Sequence, residues 1–232
     1  MGAKSPTVRY FRPRVDGPEQ RIEDAVIDSL RDIFARRDWP VWNGGYVPIG
    51  AGMPDVVSVW YDPQVVTLAG FESPDGHILA YLRSVRRASA GTIADRLRFK
   101  MSTVENRIEW LEDSGVVTRE SESSISMLPA WRQILPEVVT IEAKVADWQS
   151  ALQQAIRNRI FGHRSFVALP DSVAKRMDAE PGFSKHGVGI LAVDGNGEVY
   201  IHREARKSNP NVWSYYFHLA AIAARDLCQR TG

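Results

Sequence analysis

Two stretches, MPDVVSVW at residues 53–60 and VVTIEAKV at residues 138–145, decide how this chain is read. Both are rich in β-branched residues and read as strands. Each also carries charge where a buried strand has none. Asp55 heads the first, and Glu142 and Lys144 sit two residues apart in the second, with Ile141, Ala143 and Val145 between and beyond them. Strand side chains alternate between faces, so Glu142 and Lys144 share one face and the apolar residues take the other. A strand buried on both sides of an α/β sheet reads as a nearly continuous apolar run. The charges therefore need a reason, either an ion pair on an exposed strand or chemistry.

Downstream, DWQSALQQAIRNRIF (147–161) has helical periodicity and RSFVALP (164–170) reads as a strand, which completes a βαβ unit with parallel pairing. GVGILAVDGNGEVYIHRE (187–204) predicts a hairpin turning at DGNG, and residues 212–227 predict a final helix. Upstream, Ile22, Ala25, Val26, Leu30 and Ile33 recur at helical spacing after Asp16, which with Glu19 forms a capping-box pattern. Residues 1–15, with Lys4, Arg9, Arg12 and Arg14, read as a loosely ordered basic arm. Gln64–Ala69 suggests a further strand. The expected class is α/β, a mixed sheet flanked by helices.

Composition narrows the setting. The 232 residues are 44% hydrophobic and 25% charged with a net charge of +1, as in ordinary globular chains. The single cysteine, Cys228, allows neither an intrachain disulfide nor a cysteine zinc site, and the five histidines are scattered. No secretory leader or membrane span is legible, so a cytoplasmic location and no membrane partner are expected.

Hydrolysis of a phosphodiester needs a cation to neutralise the transition state and to generate hydroxide at neutral pH, and carboxylate oxygens suit Mg²⁺. Asp55, Glu142 and Lys144 fit that need if their strands are neighbours. GMPDVV, IEAKV, the following helix and SFVALP together resemble the PD-(D/E)XK nuclease superfamily, in its P-D…E-x-K form, over residues 16–60 and 138 to about 203. The resemblance implies a restriction-endonuclease-like fold. It implies that Asp55, Glu142 and the backbone carbonyl of Ala143 hold Mg²⁺ or Mn²⁺, and that Lys144 is the catalytic lysine. Two other Pro-Asp pairs fit less well: Pro74-Asp75 runs into Gly76 as a turn, and Pro170-Asp171 precedes a polar helix. Superfamily members often add a glutamate on the first helix. Glu23 is preferred here because Glu19 is engaged as the capping residue. Gln154 is a candidate substrate contact, although the Gln-x-x-x-Tyr pattern of some branches ends here in Asn158.

Asp55 and Glu142 lie far apart in sequence, which an inserted segment explains. HILAYLRSVRR, TIADRLRF and STVENRIEWLEDSG predict three helices, and VVTRESESSISM a two-stranded ribbon. This order resembles bacterial winged helix-turn-helix regulators. Val104, Ile108 and Leu111 would face inward and Ser102, Thr103, Asn106 and Glu109 outward, as on a recognition helix. Arg83, Arg86, Arg87, Arg96, Arg98, Lys100 and Arg107 make the first half basic, whereas Glu109, Glu112, Asp113, Glu120 and Glu122 make the second half acidic around Arg119. The DNA-binding set is Arg96, Arg98, Lys100, Ser102, Thr103, Asn106 and Arg107. Winged helices also serve as docking modules, which stays an alternative. The division expected is a discontinuous core, 1–73 with 137–232, around an insertion at 74–136. The function expected is metal-dependent cleavage of DNA, double-stranded in the first instance, with a homodimer favoured if both strands are cut. The rival is a non-cleaving DNA-binding regulator on the same scaffold.

Overall fold

The structure, a computed structural model, describes residues 7–34, 39–50, 52–121 and 124–231; Lys4 and Glu122 lie outside them. In chain order the elements are β1 (Val8–Tyr10), α1 (Pro18–Ile33), β2 (Val41–Gly45), β3 (Val56–Trp60), α2 (Ser73–Val85), β4 (Arg87–Ala88), α3 (Ala90–Leu97), α4 (Met101–Asp113), β5 (Val117–Ser121) and β6 (Ser124–Met127). Then follow β7 (Glu137–Ala143), α5 (Trp148–Asn158), β8 (Arg164–Pro170), α6 (Asp171–Arg176), α7 (Pro181–His186), β9 (Gly189–Val193), β10 (Val199–Arg203) and α8 (Trp213–Thr231). Among the described residues, no helix is long and apolar enough to cross a membrane.

The chain divides into two compact units, Met1–Tyr61 with Glu137–Asn211, and Asp62–Pro136 with Val212–Gly232. The first is mixed α/β. Its seven strands run in the order β1-β2-β3-β7-β8-β9-β10, with β1–β2, β7–β8 and β8–β9 parallel and the other neighbours antiparallel. The parallel pairs need crossovers, and α5 supplies the one from β7 to β8. α1 buries Ile22, Val26 and Leu30 against Val56, Ile141, Phe166 and Leu191 on one face of the sheet. α5 buries Ala151, Leu152 and Ala155 with Val167, Ile190 and Phe183 on the other. Phe166 is fully buried with its ring centroid 5.2 Å from that of Phe34, a burial worth roughly 1.5–3 kcal/mol. Polar side chains within the sheet find partners: Ser58 donates to Asn43 at 2.8 Å, and the Thr140 and Ser165 hydroxyls meet at 2.8 Å.

β3 and β7 are neighbours in one register, with Trp60 opposite Glu137 at one end and Val56 opposite Ile141 at the other. Residues 62–136 separate these two neighbouring strands in the chain.

The second unit packs α2, α3 and α4 with a small sheet ordered β4-β6-β5. Ser89 caps α3 by accepting the Thr92 N–H at 3.1 Å, and Val104, Ile108 and Leu111 of α4 are fully buried. α8 belongs to this unit. It packs on α2 and on the 3₁₀ segment Pro63–Gly70, burying Phe217, Leu219, Ala220 and Ala224. Tyr216 secures it by accepting the Leu135 N–H at 2.7 Å and donating to the Leu135 carbonyl at 3.1 Å.

Several expectations are corrected here. Residues 212–232, assigned to the core from sequence, pack with 62–136 because the apolar face of α8 matches α2. The boundary falls at Asp62 rather than at 74. Gln64–Ala69 is 3₁₀ helix, with Asp62 accepting the Gln64 N–H at 2.9 Å. Part of the basic arm is ordered as the edge strand β1. The Asp16–Glu19 capping box does not form. Gly17 takes the N-cap position with no side-chain cap, and Pro18 sits at N1, where its missing N–H costs nothing. Pro74-Asp75 is no turn; it lies in the first turn of α2.

Candidate functional site

The antiparallel register that pairs Val56 with Ile141 places Asp55 directly opposite Glu142 one step further on. Backbone pairing of β3 with β7 stops at Val56, and the Asp55 side chain takes over, accepting the Ala143 N–H at 2.8 Å through Oδ2. Glu142 is 2% exposed on a strand flanked by β3 and β8, so an ion pair on an exposed edge does not account for it. Its Oε1 accepts from Asn158 Nδ2 at 2.6 Å. Lys144 lies one residue past β7. Its N–H continues the ladder to Ala168 at 3.1 Å, and its ammonium reaches Glu19 at 2.8 Å.

The electrostatics follow from this packing. Burial raises the Asp55 pKa, and Glu23 and Glu19 add to the rise, against the Ala143 N–H and Lys144. Burial raises Glu142 as well, and repulsion by Asp55 is the next cause, against Asn158, Lys144 and Arg157. For Lys144, partial burial works against the charge, but Glu19, Asp55 and Glu142 outweigh it and hold the ammonium above its ordinary range. A buried and a half-buried carboxylate that repel each other form a site that favours an added positive charge.

Glu23 is buried, accepting the Tyr46 hydroxyl at 2.8 and 2.9 Å, with Arg14 3.4 Å away. Arg14 also pairs with Asp24 at 2.7 Å. Burial, then the bond to Glu23, raises the Tyr46 pKa, so the phenol remains a donor. Arg12, Glu19, Glu23, Tyr46, Met53 and Asp55 line part of a cleft of about 640 Å³. Beside it the chain turns after β2: Tyr46 adopts φ 54°, and its N–H donates to the Pro54 carbonyl at 3.1 Å. Glu19 and Glu23 are thus both at the site. The reason for preferring Glu23 fails, because Glu19 binds the lysine instead of capping the helix.

Gln154, one turn before Asn158 on α5, has a buried Oε1 without a hydrogen-bond partner among the described residues. Sequence reading undervalued Asn158 and missed Tyr46 and Arg14. Asn158 was visible only as a broken pattern, and the tyrosine and arginine carry no local signature. Among the described residues no three or more His, Cys, Asp or Glu side chains converge as metal ligands. The acidic groups brought together here are the Asp55 and Glu142 carboxylates. That composition suits Mg²⁺, a hard ion that keeps several of its own waters.

In the second unit Arg96, Arg98, Lys100, Ser102 and Asn106 are exposed and Thr103 is half-buried. Arg96, Arg98 and Lys100 make no ion pair among the described residues. Arg107 is different. It forks onto the buried Asp75 at 2.8 and 2.7 Å, meets Glu72 at 2.8 Å and lies over the Trp110 ring. It belongs to internal architecture and leaves the candidate DNA surface. Arg119 is similarly drawn to Glu112 and Glu105, at 3.5 and 3.7 Å.

Comparisons with protein-family models, with curated proteins and with solved structures found no match to this chain.

Proposed function

We propose that the chain is a Mg²⁺- or Mn²⁺-dependent endonuclease of the PD-(D/E)XK kind, with a restriction-endonuclease-like core and an inserted winged helix that engages DNA. The observation that carries this reading is the placement of Asp55 and Glu142 face to face on adjacent strands, with the Lys144 charge beside them. The ion would neutralise charge on the reacting phosphate and lower the pKa of a water. Asp55, Glu142 and the Ala143 carbonyl would hold it. Lys144, kept protonated, offers a fixed positive charge to the phosphate, and Glu19 orients that ammonium. Tyr46 fixes Glu23 at the cleft wall. The exposed Arg96, Arg98 and Lys100, from the last turn of α3 to the residue before α4, would supply phosphate contacts, and Ser102, Thr103 and Asn106 would supply polar groups for base edges. Cleavage of both strands would call for two copies of the chain.

Incubation of the full chain with supercoiled plasmid, linear duplex, single strands and RNA, in Mg²⁺, Mn²⁺ or EDTA, tests the reading. Nicking or linearisation that needs the metal is expected. Asp55→Ala, Glu142→Ala and Lys144→Ala should each lower it on the order of 100-fold or more. Metal-independent duplex binding without cleavage of any substrate would establish the non-cleaving regulator instead.

A further inference from the structure

We propose that Asn158 is a positioning residue for Glu142, clamping one carboxylate oxygen while bracing the loop that delivers Asp55; this rests on the metal-dependent reading above. Asn158 closes α5, is 1% exposed and gives its Nδ2–H to Glu142 Oε1 at 2.6 Å. Its own carbonyl accepts the N–H groups of Phe161 and Gly162 at 3.2 and 2.9 Å, which holds the residue in the helix-ending turn. The other side of the amide bears on the loop before Asp55. A Cβ at Gly52 would come within 2.6 Å of Asn158 Oδ1, so glycine is what allows the two to touch. Gly52 and Ile49 exchange two backbone hydrogen bonds, at 3.0 and 2.9 Å, which tie down Gly52, and from there the chain runs through Met53 and Pro54 into Asp55. One side chain therefore touches both acid-bearing segments.

The chemistry suits the task. The last torsion of a glutamate is broad and roughly two-fold, so a carboxylate keeps one orientation only when something holds it. Glu142 faces Asp55, a group of like charge, and an unheld carboxylate would turn away from it. An amide donates at any working pH without adding charge, which a histidine or a protonated acid cannot do. With Oε1 held, the second oxygen of Glu142 is left for a ligand. Asn158 touches no reacting atom and acts only through Glu142.

The test uses the full chain with Asn158→Asp, Asn158→Ala, Gly52→Ala and the Gly52→Ala/Asn158→Ala double variant, each assayed below its melting temperature. Mn²⁺ binding followed by electron paramagnetic resonance reads the site without turnover, and plasmid cleavage gives kcat and KM. Both Asn158 variants should weaken Mn²⁺ binding or lower kcat by about 10–100-fold, with KM for DNA nearly unchanged. Gly52→Ala should act in the same direction by displacing the amide. It should add less once Asn158 is alanine, because the 2.6 Å clash has then gone and only the 3.2 Å approach to the Phe161 ring remains. Folded Asn158 variants that bind Mn²⁺ and cut like the parent would overturn the assignment, as would full additivity of the two substitutions. A parent chain that binds no Mn²⁺ and cuts nothing removes the metal reading itself and this inference with it.

Discussion

Asp55→Asn should make the metal-free protein more stable while ending its activity. Asparagine keeps the shape and retains an oxygen for the Ala143 N–H, so only the charge is lost. Asp55 is pushed up from 3.8 to about 6, chiefly by burial. An acid whose folded pKa lies above its unfolded one withholds stability as pH rises: nothing below 3.8, the full amount above about 6. That rise corresponds to about 3 kcal/mol at 1.36 kcal/mol per pH unit. Glu142, raised chiefly by burial and next by the Asp55 charge, is relieved as well, while burying the asparagine amide offsets part of the benefit, so the net gain from Asp55→Asn above pH 8 should be about 1–3 kcal/mol. For a chain of this size that is roughly 3–10 °C in melting temperature. Melting in EDTA at pH 8.5 and pH 4.5 measures it, with the difference shrinking toward zero at the lower pH. Added Mg²⁺ should narrow the gap at pH 8.5 by stabilising the parent alone, about 1.4 kcal/mol at ten times Kd. An Asp55→Asn protein that melts at or below the parent at pH 8.5, or whose advantage ignores pH, would refute the view that the Asp55 charge is held in the fold at a cost.

Other outcomes follow from the same contacts. Arg107→Ala should cost about 3–5 kcal/mol in denaturant unfolding, because Asp75 is left buried and unpaired, with no selective loss of DNA affinity. Changing Arg96, Arg98 and Lys100 together to alanine should leave melting unchanged and lower the salt slope of duplex binding by about one unit per lost phosphate contact; an unchanged slope would point to a protein partner. Glu19→Gln should move the alkaline limb of the cleavage profile to lower pH, since Glu19 is the main group supporting the Lys144 charge. Ending the chain after Asn211 should leave Asp62–Pro136 sensitive to protease while the sheet stays protected, because Phe217, Leu219 and Ala224 would no longer cover α2.

The strands around Asp55 and Glu142 were legible because β-branched runs flanked by turn residues leave little choice of element. That these strands are neighbours was an expectation from the sequence, but their register, Val56 opposite Ile141, comes only from the structure. Other features depend on tertiary contacts that no short window contains. Glu19 has the spacing of a capping residue, but a lysine 125 positions away claims it. Arg107 sits among exposed polar residues on α4 and reads as surface until Asp75, 32 positions back, is seen buried beneath it. The apolar stripe of α8 suits either unit, and only packing assigns it.

The grouping of α8 with residues 62–136 makes the two units interlaced rather than nested. The chain crosses from one to the other at 61, 136 and 211. During synthesis the sheet that carries Asp55 and Glu142 is complete by Asn211, whereas the second unit waits for α8. Its ties span long stretches, 81 positions from Leu135 to Tyr216 and 154 from Phe71 to Arg225. Closing such loops adds little to equilibrium cost, which grows only as the logarithm of length, but non-local contacts slow folding. A newly made chain would therefore form its acidic pair before its second unit is finished. The order of translation, more than the final stability, would then decide how long the sheet with its acidic pair exists beside an unfinished second unit.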